Sequence, residues 1–175
     1  MNGEKVFKIA ASNFRWIDDS KDNLVDLCLH GDVTVKLKDE LLSDSCCVSA
    51  SALRMLKTLT EDHEITNMGE QMLPCCGHTL ITNDSIDTVD ISGCDNGVDY
   101  AVRHENENII IFTESGNTYT IPFEEYRDEV LRFAYLVEEF YNKSSPKILP
   151  LDEWERDGYT AFWNEWERRL EQYKI

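Results

Sequence analysis

The chain reads as an α+β protein in which a group of strands leads into a helix, a second group leads into another helix, and an aromatic helix closes the C-terminal end. Three patterns predict this. Short alternating apolar and polar stretches recur between turn-forming Gly, Asn and Asp residues. One long segment places Tyr126, Val130, Phe133, Ala134, Val137, Phe140 and Tyr141 at helical spacing. A last segment, 152–173, lines up Tyr159, Phe162, Trp163, Trp166, Leu170 and Tyr173 on one side. Runs of strands that end in helices imply helices packed on antiparallel sheets.

The elements follow in order. A strand is predicted over residues 5–10, then a polar connection through Asp18, Asp19, Ser20, Lys21 and Asp22. Two alternating runs, 24–30 and 33–37, flank Gly31-Asp32 and predict a hairpin with its turn there. Ser49 or Ser51 can cap a helix that carries Ala52, Leu53, Leu56 and Leu59 on one face and ends near His63. Strands are then expected over 72–82, 88–94, 100–104, 109–113 and 118–121 as one antiparallel meander. The turns between them are Asn83-Asp84, Asp95-Asn96-Gly97, residues 105–108 and Ser115-Gly116-Asn117. Pro122 stops the last strand before the amphipathic helix, and Ser144-Ser145-Pro146 breaks that helix. Asp152, three residues before Glu155, caps the final helix, whose first turns Gly158 can bend.

A length of 175 residues with 42% hydrophobic content is enough for one core. One domain over 1–175 is expected, with possible repeat halves at 1–66 and 67–143. No apolar run approaches the roughly 20 residues of a membrane span, and no cleavable leader pattern opens the chain. A cytoplasmic protein with reduced thiols is therefore expected, because Cys46-Cys47 and Cys75-Cys76 are adjacent pairs in a chain too large to need staples.

Charge is the most unusual feature, with a net of −17 from 34 acidic and 17 basic residues. Residues 84–140 alone carry 14 acids against 3 bases. Such a field repels phosphates and anionic lipid, which argues against direct nucleic-acid or membrane binding and favours a basic protein partner. The carboxylates singled out as partner contacts are Asp84, Asp87, Asp90, Asp95, Asp99, Glu105, Glu107 and Glu114. Trp154, which precedes the aromatic stripe, is the candidate interface anchor. The acidic residues equally fit turns and solvated strand positions.

No phosphate-binding glycine loop, dinucleotide fingerprint, paired-histidine metalloenzyme motif or serine-hydrolase elbow is present. The carboxylate series lacks the glycine and terminal glutamate of a calcium loop. Cys46, Cys47, Cys75, Cys76 and His78 are the only grouping that suggests zinc. Neighbouring cysteines in an extended chain point to opposite faces, so the sequence assigns no metal, no cofactor and no catalytic residue.

A strand flowing into a helix, once over 33–59 and again over 119–140, hints at duplicated halves, and two halves that each form a four-stranded meander followed by a helix would resemble the Whirly fold, a pseudo-twofold pair of crossed sheets. Whirly proteins bind single-stranded nucleic acid through basic surfaces, and this chain departs from them in charge. The segment IIIFTESGNTYTIPFEEYRDEVLRFAYLVEEFYNKSSPK, a hairpin followed by an acidic amphipathic helix, resembles the immunity proteins of bacterial contact-dependent inhibition and polymorphic toxin systems. That resemblance implies an inhibitor whose acidic surface meets a cognate toxin, a basic nuclease domain. The rival expectations are a regulatory or structural subunit of a cytosolic complex and a cysteine- or metal-dependent enzyme built on Cys75, Cys76 and His78.

Overall fold

The computed structural model describes residues 5–20, 22–65, 69–77 and 79–174. Strands β1 (Phe7–Arg15), β2 (His30–Leu37) and β3 (Glu40–Cys47) form an antiparallel sheet in that order and lead directly into helix α1 (Val48–Lys57). Phe7 opposes Leu37, Ile9 opposes Val35, and Ala11 opposes Val33. That register turns Phe7, Ile9, Val33, Val35 and Leu37 to the core and leaves Lys8, Ala10 and Ser12 outside or at the margin.

The hairpin turn lies at Lys38-Asp39, and not at Gly31-Asp32 as expected. Strand β2 runs straight through Gly31, which pairs with Cys46. A side chain at position 31 would press on Phe14 and Val48, so this glycine serves close packing and not a turn. Residues 22–29 form a connection instead of a strand.

The expected five-stranded meander is divided. β4 (Leu73–Pro74) pairs with β7 (Gly97–Val98), and β5 (Thr79–Thr82) pairs with β6 (Val89–Ser92). Only β8 (Tyr100–Glu105), β9 (Asn108–Thr113) and β10 (Thr118–Pro122) form a continuous meander, which flows into α2 (Phe123–Lys143). Each meander thus has three strands, so the four-stranded Whirly unit is not formed. The order of three strands and a helix does recur, and the class is α+β. Helix α3 (Glu153–Glu171) follows the break at residues 144–152, with the Asp152 side chain accepting from the Glu155 N–H at 3.0 Å.

Helix α1 is enclosed by α2, α3 and strands of the first sheet, and every residue from Val48 to Leu56 is buried. Helix α2 buries Tyr126, Val130, Phe133, Ala134 and Val137 and leaves its other face to solvent. Glu125 and Glu129 on α2 accept from the Phe7 and Ile9 N–H groups, so carboxylates cap the free edge of β1. On α3, Trp166 is fully buried and Trp163 is partly buried among Tyr141, Tyr159 and Phe162. Gly158 does not bend α3: a Cβ there would lie 2.3 Å from the Leu80 carbonyl oxygen, so its bareness lets β5 approach the helix.

Candidate functional site

The first region of interest grows from two connections that lie side by side. The Ile148 N–H donates to the Leu24 carbonyl at 2.8 Å, and the Ser145 N–H donates to Asp22 at 3.0 Å. Lys147 donates to the Asn23 carbonyl and stands 3.0 Å from the Trp16 ring centroid, so its charge is engaged inside this junction. Around the junction, Ile17, Leu24, Val25, Ile148, Leu149 and Leu151 remain exposed, with Leu151 at 99%. Trp154 is 51% exposed and borders a cavity of about 330 Å³ with Val25, Leu80 and Pro150. Asp18, Asp19, Asp22, Glu153 and Glu155 are exposed on the same two stretches. The result is an apolar patch with an acidic border.

The eight selected carboxylates do not form one face. Asp84, Asp87 and Asp90 are exposed on the β5–β6 hairpin, which lies along α3, with Asn164 donating to the Ile86 carbonyl. Leu80 meets Gly158 and Ile86 meets Asn164, so the hairpin tip stands ten residues along α3 from Trp154, about 15 Å at the helical rise. Asp95 is exposed in the connection between β6 and β7. Glu105 and Glu107 sit at the β8–β9 turn, and Glu114 sits at the β9–β10 turn. Those turns cap opposite ends of β9, about 20 Å apart for a six-residue strand.

Asp99 must be removed from the partner set. It is 4% exposed, and its Oδ1 accepts from His63 Nε2 at 2.9 Å and from the Met72 and Tyr100 N–H groups. It anchors the chain before β4 to the start of β8. His63 borders a cavity of about 180 Å³ with Arg54, Lys57, Glu61, Asp62 and Glu70. The hydroxyl of Thr58, also on its wall, is committed to the Met55 carbonyl and to Tyr126. On the wall of this cavity His63 is held by Asp99 and the Thr58 hydroxyl is already engaged.

The cysteines gather differently from the sequence expectation. Cys75 and Cys94 are joined as a disulfide across 19 residues, which overturns the reading of uniformly reduced thiols. The sulfur of Cys76 lies within 4.8 Å of both. The chain bends at Cys75 after the short β4, so the adjacent pair escapes the alternation that an extended strand would impose. Cys46 belongs elsewhere: it contacts Ser51, and burial pushes its thiol up to about 12. Cys28 donates to the Gly77 carbonyl, and Cys47 is buried beside Cys28 and Ser49, whose side chains hold its thiol below the ordinary value against the opposing effect of burial. His78, the fifth member of the grouping, lies outside the described residues.

Sequence reasoning missed Cys94 because it stands alone in the chain. Its approach depends on Gly93 beside it, where a Cβ would lie 2.2 Å from the Cys76 carbonyl oxygen, a contact visible only in the folded chain. Sequence reasoning also missed the apolar border of Trp154 because isolated Leu and Ile residues in connections carry no periodicity. Among the described residues no helix is long and apolar enough to cross a membrane. Compared with known protein families, with curated proteins and with solved structures, the chain matches none.

Proposed function

We propose that the protein is an immunity-type inhibitor that binds a basic toxin domain, a nuclease, through the surface centred on Trp154. The observation that carries this reading is the half-exposed Trp154 within an apolar patch whose border is acidic. Protein interfaces concentrate their affinity in a few aromatic anchors that a surrounding rim keeps dry. A nuclease must hold a basic cleft for phosphates, and opposite charge accelerates its encounter with an acidic inhibitor. Asp84 and Asp87, at the hairpin tip about 15 Å along α3 at the helical rise, extend the acidic field, while Asp90 stands on the wall of the cavity lined by Arg54, Lys57 and His63. Asp95, Glu105, Glu107 and Glu114 act at most through the long-range field, since their positions diverge.

The deciding experiment is capture at low salt followed by identification of the bound protein and a salt titration of its affinity. Recovery of a basic nuclease whose activity stops when this chain is added supports the proposal. Trp154→Ala should then raise the dissociation rate, and joint reversal of Asp84 and Asp87 to Lys should slow association and flatten its salt dependence. Recovery of a fixed complex without a toxic activity, or an affinity insensitive to both changes, would overturn it.

A further inference from the structure

We propose that Cys75, Cys76 and Cys94 constitute a redox-gated site for a soft d10 cation, Zn²⁺, closed while Cys75 and Cys94 are bonded to each other and open once that bond is reduced. The three sulfurs already lie within 4.8 Å of one another. Thiolates around tetrahedral zinc stand about 3.8 Å apart, given Zn–S bonds of about 2.3 Å. The adjustment needed is thus on the order of an ångström.

Two backbone features hold the three sulfurs together at this place. The Cys94 N–H donates to the Cys76 sulfur at 3.2 Å, which orients that sulfur beside the other two. The two chain segments are also locked together independently of the disulfide. The β4–β7 ladder pairs Leu73 with Val98 and Pro74 with Gly97, and the Cys75 N–H donates to the Asn96 carbonyl. Reduction therefore frees two thiols without releasing the segments that carry them. All three cysteines are partly exposed, so an ion can enter and a water can complete its coordination.

The chemistry balances in two steps. A dithiol reductant supplies two electrons and two protons, the Cys75–Cys94 bond breaks to two thiols, and the reductant leaves as its own disulfide. Zn²⁺ then forms three Zn–S bonds as the three thiol protons pass to solvent; the ion itself is neither oxidised nor reduced.

The test uses the full chain, reduced with a dithiol, desalted under anaerobic conditions, and titrated with Zn²⁺ in competition with a chromophoric chelator. One equivalent should bind with release of roughly three protons. The oxidised chain and Cys94→Ser should bind about 100-fold more weakly or worse, since even outer partners of a metal ligand cost 10–100-fold. Cys46→Ser should bind like the parent. Mapping of alkylation rates in the unaltered reduced chain gives a readout that no folding defect can mimic: Zn²⁺ should slow labelling of Cys75, Cys76 and Cys94 together. Binding that is absent in the reduced chain, equal in the oxidised chain, equal in Cys94→Ser, or without joint protection of the three thiols overturns the proposal.

Discussion

Helices α1 and α2 each end a three-stranded meander, yet they are held in place by opposite means. Helix α2 lies on the outside and relies on a single apolar stripe, with Glu125, Glu129 and Arg132 reaching over its margin to the edge of β1. Helix α1 is buried on all sides, so its polar residues point into the protein. Ser49 accepts from the Leu29 N–H at 3.2 Å, and Arg54 donates to the carbonyls of Gln71, Gly69 and Ile91. A central helix meets the backbone of connections as well as apolar side chains. Each buried carbonyl there needs a donor, and one guanidinium with its five N–H groups can serve three at once.

The contrast can be broken most severely on the outer helix. Phe133→Ala should cost about 3–5 kcal/mol, since it deletes a fully buried ring and leaves a cavity, and urea unfolding would measure it. Arg54→Met keeps much of the volume but strands three carbonyls, for a loss of about 3 kcal/mol. A cost below about 1 kcal/mol would mean that the apolar packing of α1 is sufficient without its polar anchor.

Glu129→Gln should have a smaller effect of about 1–2 kcal/mol at neutral pH. Burial raises the Glu129 carboxyl, but hydrogen bonds from Lys5, Arg132 and the Ile9 N–H outweigh this and leave it below its ordinary value of 4.5. Its contribution is complete above about pH 4.5 and fades as the pH falls through the lower folded value. Parent and Glu129→Gln stabilities should therefore converge in acid, which a pH series of thermal melts would show. The smallest change is expected at Trp154, where Ala should cost about 1 kcal/mol because only half of the ring is covered. A larger loss in the same urea assay would make Trp154 a packing residue and remove the anchor from the proposed interface.

These differences also mark what could be read in advance. The stripe on α2 was legible because Tyr126, Val130, Phe133, Ala134 and Val137 recur at the helix's own period. Strands β8, β9 and β10 were legible from alternation between turn residues. The extent of α1 was less so: it stops at Lys57 instead of near His63. Ser49 and Ser51, chosen as its caps, instead bond the Leu29 N–H and contact Cys46. That Trp154 lies outside the aromatic stripe was legible, and it is half exposed, whereas the exposure of its neighbours Val25 and Leu151 was not legible.

By itself the sequence determined the α+β class, the amphipathic stripe, the Asp152 cap and the acidic excess, because each depends on composition or on residues within a turn or two of one another. Tertiary structure alone decided that Gly31 lies inside a strand, that Asp99 is buried against His63, that Glu107 and Glu114 diverge, and that Cys94 joins Cys75 and Cys76. Those outcomes depend on which distant segments pack together. Such contacts are selected by the fit and hydrogen bonding of the whole core, which no local period records.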